Sequence, residues 1–208
     1  MSAESNRRGT LSEYIPLPEE FFLKDAVTLA PALLGCLLRR DTSAGLITGI
    51  IVETEAYTED DPASHAFGGR TDRNWPMFEK GGMAYVYLSY GIHNCFNVTS
   101  GMEGRGEAVL IRALQPVEGI GFMEKNRMVR GMTDLCSGPG KLCQALSIDR
   151  NLSGVSLMNG EIQIQIPRST VEFNIAITKR IGITKAADLP RRFLINNSKW
   201  ASTRIKGC

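Results

Sequence analysis

The sequence predicts an α+β fold in a single domain, built around a mostly antiparallel sheet. Segments rich in β-branched and aromatic residues outnumber helical ones, and most are joined by turns too short for a helical crossover. The 208 residues are 43% apolar and 22% charged, proportions that exclude disordered or fibrous chains and supply material for one real core. No internal repeat or low-complexity tract divides the chain.

Residues 1–16 read as a flexible lead, and 17–208 as the single domain. Pro18-Glu-Glu-Phe-Phe22 opens a short helical turn. Asp25 is placed to cap the helix that follows, and Gly35 to end it. Cys36–Arg40 and Leu46–Tyr57 read as a hairpin around Asp41–Gly45, because Leu-Ile-Thr-Gly-Ile-Ile-Val-Glu-Thr-Glu-Ala-Tyr is strongly β-forming. Thr58–Gly82 is long, polar and glycine-containing, as functional loops are. Strand patterns resume at Ala84–Leu88, Cys95–Thr99 and Glu107–Leu114. Helices are expected at Val117–Val129 and Gly140–Ser147, then strands at Glu161–Ile166, Phe173–Thr178 and Arg192–Ile195.

No apolar run approaches the ~18 residues of a membrane span, and the polar first dozen residues lack the apolar stretch of a secretory signal. Five cysteines without Cys-x-x-Cys spacing, with only two histidines, point away from a disulfide scaffold or a zinc site. The setting is therefore expected to be reducing and intracellular. Charge is unevenly spread. From Arg168 onward nine Lys/Arg face Glu172 and Asp188, a surplus of 9 − 2 = +7, whereas Glu53, Glu55, Glu59, Asp60 and Asp61 cluster. Such a division suits a protein that holds a polyanion and does chemistry with a carboxylate; a solvated surface with chance clustering is the plainer alternative.

Three segments carry candidate chemistry. Glu53, Glu55 and Tyr57 alternate along one strand face, directly before the loop that contains His65, so a carboxylate, a phenol and an imidazole could converge as a general-base site. Exposed, solvated glutamates are the competing explanation. In the second segment Tyr85 and Tyr87 share a face, while Tyr90-Gly91 should form a turn with an aromatic ring at its tip. A ring so placed could wedge between stacked bases or pack on another loop. The third, Ser137-Gly-Pro-Gly-Lys141, turns into a helix and offers free N–H groups and a lysine to a phosphate, without Walker-loop spacing.

Taken in order, these segments resemble the 3-methyladenine (alkyladenine) DNA glycosylases. The resemblance runs from about Leu17 to Trp200. It rests on Val52-Glu-Thr-Glu-Ala-Tyr57, His65 with Gly68-Gly-Arg70, Tyr85-Val-Tyr87-x-x-Tyr90-Gly91, Leu110-Ile-Arg112-Ala-Leu114, Ser137-Gly-Pro-Gly-Lys-Leu-Cys-Gln-Ala-Leu146 and Arg180-Ile-Gly-Ile183. It implies a curved antiparallel sheet with flanking helices, and a monomeric, monofunctional glycosylase of base excision repair. That enzyme would flip alkylated or deaminated purines out of double-stranded DNA. It would use water as nucleophile and leave an abasic site, without metal or cofactor.

By the same resemblance, Glu55 would deprotonate the water, with Arg112 and the Ile181 carbonyl holding it. Tyr57 and His65 would stack on one face of the base and Tyr87 on the other. Asn97 would reject the exocyclic amine of normal guanine, and Tyr90 would fill the vacated place in the duplex. Arg73, Met77 and Lys141 would touch backbone or groove. The chain departs from the family pattern in a loop before Arg73 that is one residue shorter, in Ile92-His93 beside the wedge, and in Gly140 where serine is expected. Two other classes compete: a protein that binds damage without cutting, and a hydrolase of free nucleosides.

Overall fold

A computed structural model describes residues 13–129, 131–169 and 171–203. The described residues form nine strands, four short α-helices and three 3-10 turns in one α+β domain. The strands are β1 (Tyr14–Pro16), β2 (Leu37–Thr42), β3 (Gly45–Tyr57), β4 (Ala84–Ser89), β5 (His93–Thr99), β6 (Ala108–Glu118), β7 (Ile162–Pro167), β8 (Ile175–Thr178) and β9 (Arg192–Ile195). The helices are α1 (Glu19–Phe22), α2 (Ala26–Ala32), α3 (Ile120–Arg127) and α4 (Pro139–Ala145).

All pairings are antiparallel, in the order β1-β7-β2-β3-β6-β5-β4. β3 is the spine. Its first half pairs with β2 and its last part, Glu53–Glu55, with β9, while β6 runs along the opposite edge. Register shifts against β6 flank Glu53, and such irregularities bend a strand and re-aim its side chains. The polar stretch of β3 thereby lies at the middle of the sheet, not on a solvated face.

Alternation sorts side chains to two faces. Ile51, Val86, Phe96, Val98, Val109 and Ile111 join Leu29 and Leu33 near α2 and Leu142 and Leu146 near α4 in the main core. The residues between them, Tyr85, Tyr87 and Ala108, meet Ala66, Met77 and Phe78 from the long loop in a smaller cluster. Helices cover one face; the loop covers the other and forms a wall.

Asp25 caps α2 as expected, its carboxylate accepting the Thr28 N–H at 3.0 Å. Other boundaries differ from expectation. Tyr14–Pro16, within the expected lead of residues 1–16, pair with Gln165–Pro167 as β1; residues 1–12 of that lead lie outside the described residues. β6 runs on to Glu118, and helix starts only at Ile120, not Val117. Gln115, Pro116 and Glu118 are held by pairing with Thr48–Ile50, so a long-range ladder overrides the local helical preference. The final hairpin strand begins at Ile175, two residues later than expected.

Candidate active site

The last third of β3 delivers two carboxylates into the sheet's interior. Glu53 and Glu55 are both 0% exposed, so the solvated-glutamate alternative fails. Burying two like charges this close requires cations, and β6 supplies one between them. Arg112 donates from Nε to Glu53 at 2.9 Å and from Nη1 to Glu55 at 3.2 Å.

The two carboxylates are held differently. Glu53 also accepts from Arg192 Nε at 2.8 Å, the Ser202 N–H at 2.6 Å and the Ser202 hydroxyl at 2.7 Å. Burial pushes its pKa up, but the Arg192 hydrogen bond and the charges of Arg112 and Arg192 outweigh that and hold it below the ordinary value. Glu55 has one cation and two neutral donors: Arg112, the Ile181 N–H at 2.8 Å and the Tyr57 hydroxyl at 2.9 Å. Here burial wins, aided by the charge of Glu53, and the Glu55 pKa is raised.

A cavity of about 560 Å³ opens beside Glu55. Its lining includes Tyr57, Arg112 and Ile181, the three donors to Glu55, so the carboxylate sits immediately behind that wall. His65, Arg73, Met77, Tyr85, Tyr87, Tyr90 and Asn97 line the remainder, joined by Cys95 from the floor strand β5. Nine of the eleven residues singled out from sequence thus line one cavity, Glu55 lies just behind it, and Lys141 lies elsewhere.

Individual placements qualify the expectations. His65 Nδ1 and the Tyr85 hydroxyl are hydrogen-bonded at 2.8 Å, and the His65 and Tyr87 rings meet edge-on with centroids 4.4 Å apart. The two rings expected on opposite faces of a base therefore touch each other, and must part before a base can lie between them. Burial, reinforced by the charge of Arg73, lowers the His65 pKa and favours the neutral imidazole. Asn97 is fixed by its own amide, which donates to the Tyr85 carbonyl at 3.0 Å. Met77 is 2% exposed, packs with Phe78 and Tyr85 and lines the cavity. Arg73 is exposed, with its guanidinium 5.5 Å from the Tyr87 ring centre. Lys141 ion-pairs with Asp134 and lies 3.3 Å from the Ser137 hydroxyl.

Tyr90 stands at the cavity rim, 88% exposed, on a turn closed by the Ile92 N–H to the Ser89 carbonyl at 3.1 Å. Both Tyr90 (φ 49°) and Gly91 (φ 73°) are left-handed, which glycine accepts freely and tyrosine does not. Beside it, a Cβ at Gly140 would lie 3.0 Å from the His93 Cβ, so a larger residue at 140 would press on that histidine.

Three arginines of the basic stretch after residue 168 turn inward, while Arg168, Lys179, Lys185 and Lys199 stay exposed. Arg180 and Arg191 pair with Asp61, Arg192 with Glu53 and Lys179 with Asp188. Much of the sequence's acidic cluster and its basic tail neutralise each other across the fold, so the tail offers a polyanion fewer charges than its +7 suggests. Sequence reasoning missed Arg192, Ser202 and Asp61 as supports of the site, and the oppositely charged clusters hinted only at Arg192 and Asp61.

Among the described residues no three His, Cys, Asp or Glu side chains gather as a metal site would require, and no helix is long and apolar enough to cross a membrane. The methylpurine-DNA glycosylase family matches residues 20–199. A provisionally named 3-methyladenine DNA glycosylase of Methanoculleus marisnigri is 49% identical over 193 residues, covering 90% of this chain and 99% of its own. Provisionally named counterparts in Carboxydothermus hydrogenoformans and Agrobacterium fabrum are 47% and 44% identical, each over at least 90% of this chain and 94% of their own. With a family match over most of its length and a carboxylate–arginine centre beside an aromatic cavity, the chain belongs to the methylpurine-DNA glycosylases and is an enzyme of the DNA glycosylase class.

Proposed function

We propose that this enzyme hydrolyses the N-glycosidic bond of alkylated or deaminated purines flipped out of duplex DNA, with a water activated by Glu55. The observation that carries the proposal is Glu55 itself: a fully buried carboxylate with a raised pKa, held by three residues of a cavity wall. A base within a duplex is out of reach of any such carboxylate, so the nucleotide must be extruded.

A carboxylate has about four acceptor sites, and Glu55 uses three on Arg112, Tyr57 and the Ile181 N–H. The fourth is free to accept the proton of a water. In the reaction the water oxygen bonds to the sugar C1′, its proton passes to Glu55, and the purine leaves with the electrons of the broken C–N bond. The negative charge also stabilises the oxocarbenium-like sugar. Among the described residues no lysine lines the cavity, which supports attack by water over a Schiff base. Arg112 and the Ile181 carbonyl would hold the water, and Tyr57, His65 and Tyr87 would enclose the base once His65 swings from Tyr87. A cationic lesion would gain from electron-rich rings around it. Asn97, its amide fixed, would face the purine edge as a filter, and Tyr90 would occupy the gap in the duplex. Arg73 and Lys141 would contact backbone, and Met77 would act from the cavity lining.

The test is direct. Incubate the protein with duplexes bearing one 3-methyladenine analogue, 7-methylguanine, hypoxanthine or ethenoadenine, treat with alkali, and read strand scission. Scission on at least one lesion, absent on undamaged duplex and without alkali, is expected. Binding to lesions without release of base would replace this reading with a damage-binding one, and release from free nucleosides alone would make it a nucleosidase.

A further inference from the structure

Behind Tyr57 lies a second buried ion pair that belongs to no assigned role. Arg180 and Asp61 both have side chains 0% exposed, and they meet through a two-pronged contact, the second prong at 3.1 Å. The Arg180 guanidinium also donates to the Ala56 carbonyl at 3.0 Å and the Ala186 carbonyl at 3.2 Å, and lies 4.6 Å from the Tyr57 ring centre. One planar cation thus touches β3 beside Glu55, the ring that hydrogen-bonds Glu55, the loop base at Asp61, and the chain beyond residue 181.

The neighbouring residue is Ile181, whose N–H donates to Glu55 at 2.8 Å. The segment from 179 to 191 has no regular secondary structure and crosses to Glu55 from outside the β3 ladder. Arg180, one residue before Ile181, ties the loop down at the point where that N–H meets the buried carboxylate. Arg191 reaches the same Asp61 at 3.3 Å, yet contacts neither Tyr57 nor Ile181, its other bond going to the Thr58 hydroxyl at 2.6 Å.

We infer that the Asp61–Arg180 pair is a positioning device that aims Glu55: through Tyr57 on one side and Ile181 on the other, it fixes two of the three hydrogen bonds that set the carboxylate's orientation and basicity. Neither residue touches the substrate. The inference rests on Glu55 acting as the base, and it makes a separate statement about how Glu55 is held.

Glu55 is faced by Glu53 and Tyr57 from its own strand, Arg112 from β6, Cys95 from β5, Tyr87 from β4 and the Ile181 N–H from the loop. Of these, only the last and Tyr57 depend on Arg180. Both donate to the ionised carboxylate and lower its pKa, so losing them should raise it further.

The experiment compares Arg180→Lys, Asp61→Asn and the apolar pair Arg180→Met with Asp61→Leu, against Arg191→Gln. The apolar pair is included because removing one partner of a buried ion pair can unfold a protein, whereas replacing both is often tolerated. Two quantities are read: single-turnover excision against pH, and the Glu55 carboxyl titration by ¹³C NMR. Expected in every folded Arg180 or Asp61 variant are excision down roughly 100-fold, as for an ångström of misplacement, an acid limb moved to higher pH, and a Glu55 titration moved with it. Lesion binding should hold, and Arg191→Gln should leave both curves in place. Variants that lose only thermal stability, with the pH profile and the titration unmoved, would overturn the inference. If the wild-type protein excises nothing, the glycosylase mechanism falls while the carboxyl titration still decides this point.

Discussion

Glu53 and Glu55 sit two residues apart on one strand, equally buried, and share the guanidinium of Arg112. Their pKa values are nevertheless pushed in opposite directions, down for Glu53 and up for Glu55. The difference lies in the second partner. Glu53 receives another full charge, Arg192 from β9, and two donors from Ser202, so four donors, two of them cations, hold it. Glu55 receives only a phenol and a backbone N–H, both from residues that line the cavity. One carboxylate is spent on the fold and the other is held in reserve next to a space that admits a ligand. Burial alone marks neither as functional; the company each keeps does.

The largest effect should come from neutralising the reserved one. Glu55→Gln keeps the shape and can still hydrogen-bond a water, but loses basicity and charge. Excision should fall at least ~100-fold, the lower end for a lost general base, with lesion binding level or improved. Folding stability should hold or rise, because the ionised carboxylate is disfavoured where it sits. Single-turnover excision beside a melting curve checks this; an active Glu55→Gln protein would end the assignment.

Glu53→Gln should do the reverse. It strands Arg192, and half of Arg112, without a counter-charge, and breaking a buried pair typically costs ~3–5 kcal/mol. The melting temperature should drop sharply, while excision per folded molecule falls far less than in Glu55→Gln. A Glu53→Gln protein that is stable and inactive would exchange the two roles.

Acid should separate the residues without mutation. Glu53, with its folded pKa lowered, contributes stability that is complete above its unfolded value and is lost as pH falls through the lower folded one. Glu55, with its folded pKa raised, costs stability while ionised; that cost is relieved, and the base form lost, as pH falls through the raised value. Between the two lies a pH window in which the protein is folded and idle. Excision rates and circular dichroism measured down the same pH series should show activity failing first. Coincident loss would mean the carboxylates are not differently held.

How much of this was legible beforehand follows from the range of the interactions. The period-two pattern of β3, β4 and β5 predicts which side chains share a face, because alternation is local. The motif set brought Glu55, Arg112 and Ile181 together as a group. The partners of Glu53 were not legible: Arg192 is 139 residues away and reaches it through pairing of β9 with β3. For the same reason the basic tail read as a polyanion-holding stretch apart from the acidic cluster, when Arg180 and Arg191 pair with Asp61. Lys141 was placed on DNA from its turn, and its pairing with Asp134 depends on a 3-10 turn at Met132–Asp134 not anticipated.

The smallest effect belongs to a residue that neither carboxylate touches. Tyr90 keeps an aromatic ring 88% exposed on a left-handed backbone, and such a conformation costs a non-glycine residue roughly 1–2 kcal/mol. A turn carries that cost without a folding benefit, since a ring in solvent packs against nothing. Tyr90→Gly should therefore leave the free protein as stable or slightly more so, and leave the pH at which Glu55 titrates unchanged. If the ring replaces the extruded base in the stack, the same variant should bind lesion duplex more weakly by ~1–3 kcal/mol, the scale of one base–aromatic contact. The rate of excision at saturating enzyme should fall by less than in Glu55→Gln, because the carboxylates and Arg112 are untouched. Tyr90→Phe keeps the ring and should bind as wild type does. Fluorescence anisotropy on lesion duplex and differential scanning calorimetry of the free protein read the two halves. A Tyr90→Gly protein that binds normally, or melts several degrees lower, would show that the ring serves the fold and that the wedge must be sought elsewhere.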